Sequence, residues 1–428
     1  MSEVLTPDCR LEPYWWRAAP RERADPPPLP ASADVAIVGS GITGLVAALH
    51  LARGGRDVCV IEAGVPGAGA SSRNAGYVGR TLKQTFGELI EARGLSFAIA
   101  AYRELHAAFR AVGDTVAEEG IDCHFRHQGR LLLATSPEMR EAMLREFALR
   151  EKHLGEAFEP VDKGHQREEI DTPLYHGGVR IADHAGLHPG LYHNGLLART
   201  REAGARIVPH ATVLGVTPEN GGFRLGTDRG SIAVRDVVLA TNGYSGDAVP
   251  WLKRRVIPFD AYAAATEPLT AEEVARLLPA DRTFIDWNFN VDFFRRAPGE
   301  GTRIVFGGLT GEKTSDLPDF ARRLHARLAR ILPALKSRRF DNVWTGRCAG
   351  TFDYFPHIGR HEGMHYAVGY CFAGVPMGTL FGRRLACRIL GKEGGESVFD
   401  LPLPSRPFYR GNTWFVPWAI RWMSRHDR

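Results

Sequence analysis

Two short apolar runs, DVAIVGS and DVCVIEAG, flank the stretch GITGLVAALHLARGG near the start of this chain. The runs have the length and β-branched content of buried strands. The stretch between them repeats its apolar positions at helical spacing and stops at a glycine pair. Strand, helix and strand within about thirty residues predict a parallel pair joined by a right-handed crossover. From about Phe86 to Leu154 the pattern is largely helical, interrupted near HQGRLLLATS by a strand. An α/β rhythm returns over 188–260: helix GLYHNGLLARTREAG, strand ARIV, hairpin GGFRLGTDRGSIAV, strand DVVLATNG. Over 282–310, alternation around the turn APGEGT predicts an antiparallel pair. From 343 onward WTGRCAGTFDYFPHIGR reads as a loop, followed by strand MHYAVGY and helix VPMGTLFGRRLACRILG. Residues 10–32 read as an arm, with a Pro-Pro-Pro run that enforces an extended path and Tyr14, Trp15 and Trp16 to pin it. No repeat of 20–50 residues is visible, which argues against solenoids and propellers.

Composition narrows the class. Charged residues at 24% and hydrophobic residues at 44% exclude a disordered chain, a collagen-like repeat and a small disulfide scaffold. A net charge of +5 over 428 residues is too diffuse to argue for nucleic acid, and no block of like charges adds to it. The six cysteines form no CxxC pair, so no metal site is expected and the thiols read as free. The first thirty residues lack the apolar core of a signal peptide, and no apolar run approaches a membrane span, so a cytoplasmic location is expected.

The glycines carry the first chemistry. GSGITG sets Gly39, Gly41 and Gly44 at GxGxxG spacing between a strand and a helix, with Glu62 closing the second strand 18 residues past Gly44. Gly39 permits the tight turn, Gly41 lets backbone approach a pyrophosphate, and Gly44 lets helix and strand pack closely. Ile42 and Thr43 open the helix whose positive end would face the phosphates. Glu62 suits both ribose hydroxyls and repels a 2′-phosphate, with Ala63 next to it. A second small-residue run, GVPGAGASSRNAGYVG, offers Ser71 and Ser72 to phosphate oxygens and Arg73 and Asn74 to a polar ring edge, with Gly76 for close approach.

This combination resembles the D-amino-acid-oxidase-like superfamily of FAD oxidoreductases, which includes glycine oxidase, sarcosine oxidase and D-amino-acid dehydrogenase. The resemblance extends over nearly the whole chain: the YWW…PPPLP arm, LHPGLYHNGL, VVLATNGYS, VIPFDAYAAATEPL, RIVFGGLT, AVGYCFAGVPMGTLFGRRLA and FYRGNTWFVPW all look like its gamma-glutamylputrescine-oxidase-like branch. It implies an α/β fold: a discontinuous Rossmann-type FAD-binding domain over 33–85, 165–255 and 340–428, plus an α+β substrate domain with an antiparallel sheet over 86–164 and 256–339. Residues 1–32 are the N-terminal arm. It implies FAD held non-covalently, Val213 on the adenine, Thr241 under the nucleotide, and Gly374, Val375, Pro376 and Met377 at a helix start facing the flavin pyrimidine. The activity implied is oxidation of a primary or secondary (substituted or N-alkyl) amine or an amino acid, by hydride transfer to flavin N5 and hydrolysis of the imine.

An anionic group on that substrate would call for arginine, and Arg295, Arg296 and Arg347 are the candidates, with Phe294, Tyr354, Tyr370 and Phe372 as walls; Arg73 is a further candidate beside the flavin. Two departures qualify the resemblance. Cys348 stands where glycine oxidase relatives carry a carboxylate-binding arginine, which argues against a small α-amino acid. Val305 stands where sarcosine oxidase carries its oxygen-activating lysine, leaving Lys83 or Arg73 as other cations near the flavin. Oxygen is the expected acceptor, a quinone or partner protein the alternative. Two other functions are kept open: a flavin-binding subunit of a hetero-oligomeric dehydrogenase, and an oxidative domain acting on modified tRNA. Trp414, Trp418 and Trp422, spaced four apart beside Arg421 and Arg425, are expected to pack onto the protein itself, an interfacial membrane anchor being the other reading.

Overall fold

The computed structural model of the chain describes residues 4–22, 25–312 and 316–427. Its first sheet grows from the strand–helix–strand unit that the apolar pattern predicts. Ser32–Val38 and Val58–Ile61 are parallel, joined by the helix Ile42–Arg53. Arg206–Val208 adds beside the second strand, and Gly230–Leu239 and then Met364–Val368 beside the first, all parallel. Every residue of Val58–Ile61 is buried, which is why it reads as a continuous apolar run rather than an alternation. The hairpin predicted over 221–234 is present as Val213–Glu219, Gly222–Thr227 and the start of Gly230–Leu239.

The second sheet has nine strands, in the order Leu5–Arg10, Phe340–Gly350, Ile257–Thr266, Ile304–Gly308, Phe293–Arg296, Thr283–Asp286, Arg130–Leu133, Gly178–Ile181, Glu159–Val161. Most neighbours are antiparallel. The amphipathic helix Leu317–Ile331 covers one face, burying Phe320, Leu324 and Leu328 against Tyr262 and Phe306. The other face carries Ala263, Trp344 and Phe293 toward a large cavity between the two sheets.

Helix Gly374–Leu390 crosses Ile42–Arg53 in close contact. A side chain at Gly382 would meet the Thr43 carbonyl oxygen at 2.8 Å, and one at Gly378 would meet Thr43 Oγ1 at 2.9 Å. Two glycines a turn apart thus bring this second helix onto the nucleotide helix.

Several expectations change. WTGRCAG is not a loop: it belongs to the eleven-residue strand Phe340–Gly350, paired to Ile257–Thr266 on one side and Leu5–Arg10 on the other. Gly346 serves close packing, since a Cβ there would lie 3.3 Å from that of Arg73. Strands Phe340–Gly350 and Gly178–Ile181 fall in sequence blocks assigned to the nucleotide unit yet pair in the nine-stranded sheet. The arm likewise contributes an edge strand to that sheet.

The tail also differs. Helix Val416–Met423 docks through Val416 and through Ile420, which fills the space a side chain at Gly311 would need. Trp414, Trp418 and Trp422 nevertheless point outward, 64%, 69% and 67% exposed, so the stripe does not pack onto its own protein. No helix among the described residues is long and apolar enough to cross a membrane.

Candidate functional site

The cavity between the sheets measures about 1020 Å³ and runs from Val213 and Leu214 at one end, past the glycine loop and the start of helix Gly374–Leu390, to a polar lobe at Arg80, Arg130 and Gln84. Gly39, Gly41, Ile42, Thr43, Glu62, Ala63, Ser71, Arg73, Asn74, Val213, Thr241, Gly374, Val375 and Pro376 all line it. Arg347, Tyr370 and Phe372 do too. Residues from Gly39 to Pro376 therefore meet around one space.

The glycine loop has the geometry a dinucleotide needs. Gly39 adopts φ +104°, and a side chain at Gly44 would lie 2.0 Å from the Gly39 carbonyl oxygen, so neither tolerates a Cβ. Gly41 faces the cavity, and helix Ile42–Arg53 starts there with no side-chain cap. Ser71 Oγ takes the Ile42 N–H, and the other first-turn N–H groups and the positive end are available to an anion. Helix Gly374–Leu390 also starts at the cavity wall without a side-chain cap. Glu62 accepts from Ser40 N at 2.9 Å, Ser40 Oγ at 2.7 Å and Gly64 N at 3.0 Å, which fixes its carboxylate at the cavity edge. Two helix starts at the cavity wall, a glycine-lined channel and a fixed acid are what an extended, doubly anionic dinucleotide such as FAD requires.

Behind this loop lies a buried histidine. Arg21 Nη1 donates to His193 Nδ1 at 3.3 Å, so the ring proton sits on Nε2, which donates to the Ser40 carbonyl at 2.8 Å. Burial, with Arg21 as a lesser cause, lowers the His193 pKa to about 4 and keeps the ring neutral.

The second small-residue run is shaped by its own side chains. Asn74 donates to the carbonyls of Ala70 and Ser71 and accepts from Gly76 N at 2.8 Å. Gly76 is left-handed, and a Cβ there would lie 2.1 Å from the Leu187 carbonyl oxygen; it is required by packing and does not line the cavity. Ser71 Oγ accepts from Ile42 N at 3.0 Å. Ser72 is fully buried, donates to the Gly67 carbonyl, accepts from Trp16 Nε1, and is not at the cavity wall. Arg73 spends its guanidinium on the carbonyls of Ala68 and Thr345 and lies 4.7 Å over the Trp16 ring.

The arginines sort differently from the sequence expectation. Arg295 is buried and donates to the carbonyls of Ala75, Gly76 and Leu187; Arg296 donates to the Leu278 and Pro279 carbonyls; neither lines the cavity. Arg347 does, half exposed and 3.7 Å from Asp260. Phe294 stacks on Phe284 in the core, Tyr354 bonds Met423 Sδ, and Met377 is buried behind the wall. Tyr370 keeps its ring at the cavity and bonds Thr43 Oγ1 at 2.7 Å, burial raising its pKa. Cys371 and Phe372 hold φ of +41° and +69°, a strained pair that turns the chain into helix Gly374–Leu390. Cys348 faces the cavity with its thiol pKa pushed up to about 12 by burial.

Residues not anticipated form the far lobe: Tyr77, Arg80, Arg130, His184, Trp287 and Phe289. No pattern in the sequence singled out Arg130, which opens the apolar strand of GRLLLA. Lys83 is there too, 3.7 Å from the centre of the Phe289 ring, with its pKa lowered by burial. Val305 is packed with Trp15 and Trp344 and does not reach the cavity.

Comparison with known proteins agrees with this geometry. The sequence model of the family described as FAD dependent oxidoreductase (DAO) matches residues 34–388. Gamma-glutamylputrescine oxidoreductase of Escherichia coli (strain K12) is 29% identical over 396 residues, 90% of each chain. Glycine oxidase of Bacillus licheniformis is 26% identical over 368 residues, 84% of this chain and 93% of the other. The crystal structure of glycine oxidase from Geobacillus kaustophilus shares the fold, with a TM-score of 0.75 at 22% identity, covering 88% of this chain and 100% of that one. With a matching nucleotide loop, a matching fold and a family match over most of its length, this chain belongs to the DAO family of FAD-dependent oxidoreductases.

Proposed function

We propose that the protein oxidises a primary or secondary amine, substituted or N-alkylated, or an amino acid, using non-covalently held FAD. The single observation that carries this reading is the continuous cavity that joins the glycine loop, through the helix start at Gly374, to a lobe walled by Tyr77, Trp287, Phe289 and Phe293. Bound there, FAD supplies the hydride-accepting N5 of a two-electron oxidation.

The chain's own contribution is binding, orientation and charge. Glu62 suits the ribose hydroxyls, and the starts of helices Ile42–Arg53 and Gly374–Leu390 offer positive dipole ends to phosphate and pyrimidine negative charge. The lobe, with Arg130 and Lys83 in its wall, disfavours a charged ammonium and so favours the neutral amine that can lose hydride. The imine hydrolyses in solvent after release. Cys348, a thiol kept neutral by burial at the cavity wall, offers no charge to a carboxylate, which turns the reading away from a small α-amino acid held there.

Oxygen is proposed as the acceptor. Although Val305 offers no charge, Lys83 keeps a cation inside the cavity, available to stabilise a reduced-oxygen anion.

Anaerobic mixing of the yellow protein with a panel of amines tests the reaction: the right amine bleaches the flavin. Bleaching by alcohols or hydroxy acids and by no amine overturns it, and bleaching only after a partner chain is added points to a subunit of a larger dehydrogenase. Substrate-reduced protein then mixed with aerated buffer should regain its colour within seconds. Persistence of the reduced form in air, with turnover by a quinone analogue, makes it a dehydrogenase.

A further inference from the structure

Among the described residues, Arg130 is a buried cation of this cavity with no anionic partner. It opens the strand Arg130–Leu133 and is 4% exposed. Its guanidinium makes two long hydrogen bonds, both to neutral hydroxyls: Nε to Thr283 Oγ1 at 3.3 Å and Nη1 to Thr81 Oγ1 at 3.2 Å. No carboxylate among the described residues lies within 4.0 Å of it. Its neighbours in the lobe differ: Arg80 reaches Glu156 and Asp183, and Arg150 reaches Glu156. Lys83 donates to the Phe289 carbonyl and has Asp427 and Asp286 near it. A buried guanidinium with no anion is costly, and its planar fork suits a carboxylate in two-point contact.

Its placement is equally specific. The guanidinium lies 5.2 Å from the centre of the Tyr77 ring, and a side chain at Gly79 would lie 2.9 Å from Nη2. Tyr77 and Gly79 end the small-residue run that begins at Gly64, so Arg130 stands where that run leaves the cofactor and meets the lobe. The adjacent His184 is kept neutral by burial and by Arg130 and Arg80, so it does not compete for an anion as a second cation.

We infer that Arg130 is the anion-binding residue of the substrate lobe and that the amine oxidised here carries a carboxylate. This rests on the amine-oxidation reading for the reaction, but the binding site itself does not. Neither Arg347 nor Arg296 takes this role: the first is half exposed beside Asp260, and the second lies outside the cavity.

The test titrates acetate, butyrate and glutarate, each against its neutral amide, into oxidised holoenzyme while following flavin absorbance. At least one carboxylate should perturb the spectrum and its amide should not. Affinity for that carboxylate should fall about 100-fold in Arg130→Gln, with Arg130→Lys between the two. Equal binding of acid and amide by the unaltered protein overturns the inference, as does an Arg130→Gln protein that binds the acid as tightly as before. Should Arg130→Gln fail to fold, the acid–amide comparison and Arg130→Lys decide. Arg130-dependent carboxylate binding with no amine able to bleach the flavin would sink the reaction while leaving this site standing.

Discussion

The Trp15 indole N–H donates to the main-chain carbonyl of Asn74 at 2.8 Å, tying the N-terminal arm to the loop that borders the cofactor channel. Trp16 repeats the tie one residue on, donating to Ser72 Oγ at 2.8 Å. Trp15 is fully buried, against Trp344 and His188. The arm is thus part of the cavity's wall support.

Trp15→Phe keeps a ring and loses one hydrogen bond, a cost of about 1 kcal/mol. Trp15→Ala leaves a cavity and should cost on the order of 3–5 kcal/mol. The loosened loop should let flavin escape more readily, so gel filtration should return Trp15→Ala protein with less bound flavin. Full flavin retention would show that the arm does not brace the channel.

His193 gives the protein an acid limit. Its folded pKa of about 4 lies below the ordinary value of 6.5, so the unfolded chain takes up the proton first as pH falls. The stability it contributes is present above 6.5 and is lost as pH drops toward 4, by on the order of 3 kcal/mol in full. His188 and His365, also lowered to about 4, act in the same direction. Urea unfolding at a series of pH values should show this slope, and His193→Gln should flatten part of it. An unaltered slope would place the titration elsewhere.

Helix contact at Gly382 leaves no room for a methyl group, because the nearest atom is backbone, the Thr43 carbonyl oxygen. Gly382→Ala should therefore destabilise by about 1–3 kcal/mol. Gly378→Ala meets only the Thr43 side chain and should cost less, though it disturbs the Thr43–Tyr370 hydrogen bond. The order of the two urea midpoints checks this.

Glu62→Ala should weaken FAD by about 1–3 kcal/mol through lost hydrogen bonds to the charged group. Part of that loss comes from releasing Ser40, whose N–H and hydroxyl the carboxylate holds. Unchanged affinity would mean that the ribose lies elsewhere. Acid precipitation of the unaltered protein should leave flavin in the supernatant. Colour in the pellet would point to covalent attachment, with Cys348 the first residue to examine.

What the amino-acid sequence determined by itself is what is encoded within a few dozen residues. The strand–helix–strand unit from Ser32 to Ile61 is complete in thirty positions, and Gly44 is demanded within it by the Gly39 carbonyl oxygen, which a Cβ would meet at 2.0 Å. The helices Leu95–Glu119 and Gly374–Leu390 announce themselves by period, and the family resemblance followed from segments of this kind. The strand Phe340–Gly350 was hidden because its partners, Leu5–Arg10 and Ile257–Thr266, lie far away in sequence, and its glycines serve contacts that local pattern does not carry. Adjacent Arg295 and Arg296 had no local signal to say whether either reaches the cavity; the register of the sheet keeps both out. Arg130 is the converse case. One arginine before three leucines is unremarkable as sequence, and only the folding of Thr283, Tyr77 and Gly79 around it, with no acid among them, makes it a buried charge facing a cavity. Charge compensation is a property of neighbours in space, so tertiary structure alone could decide that the buried arginine at the cavity has no acid beside it.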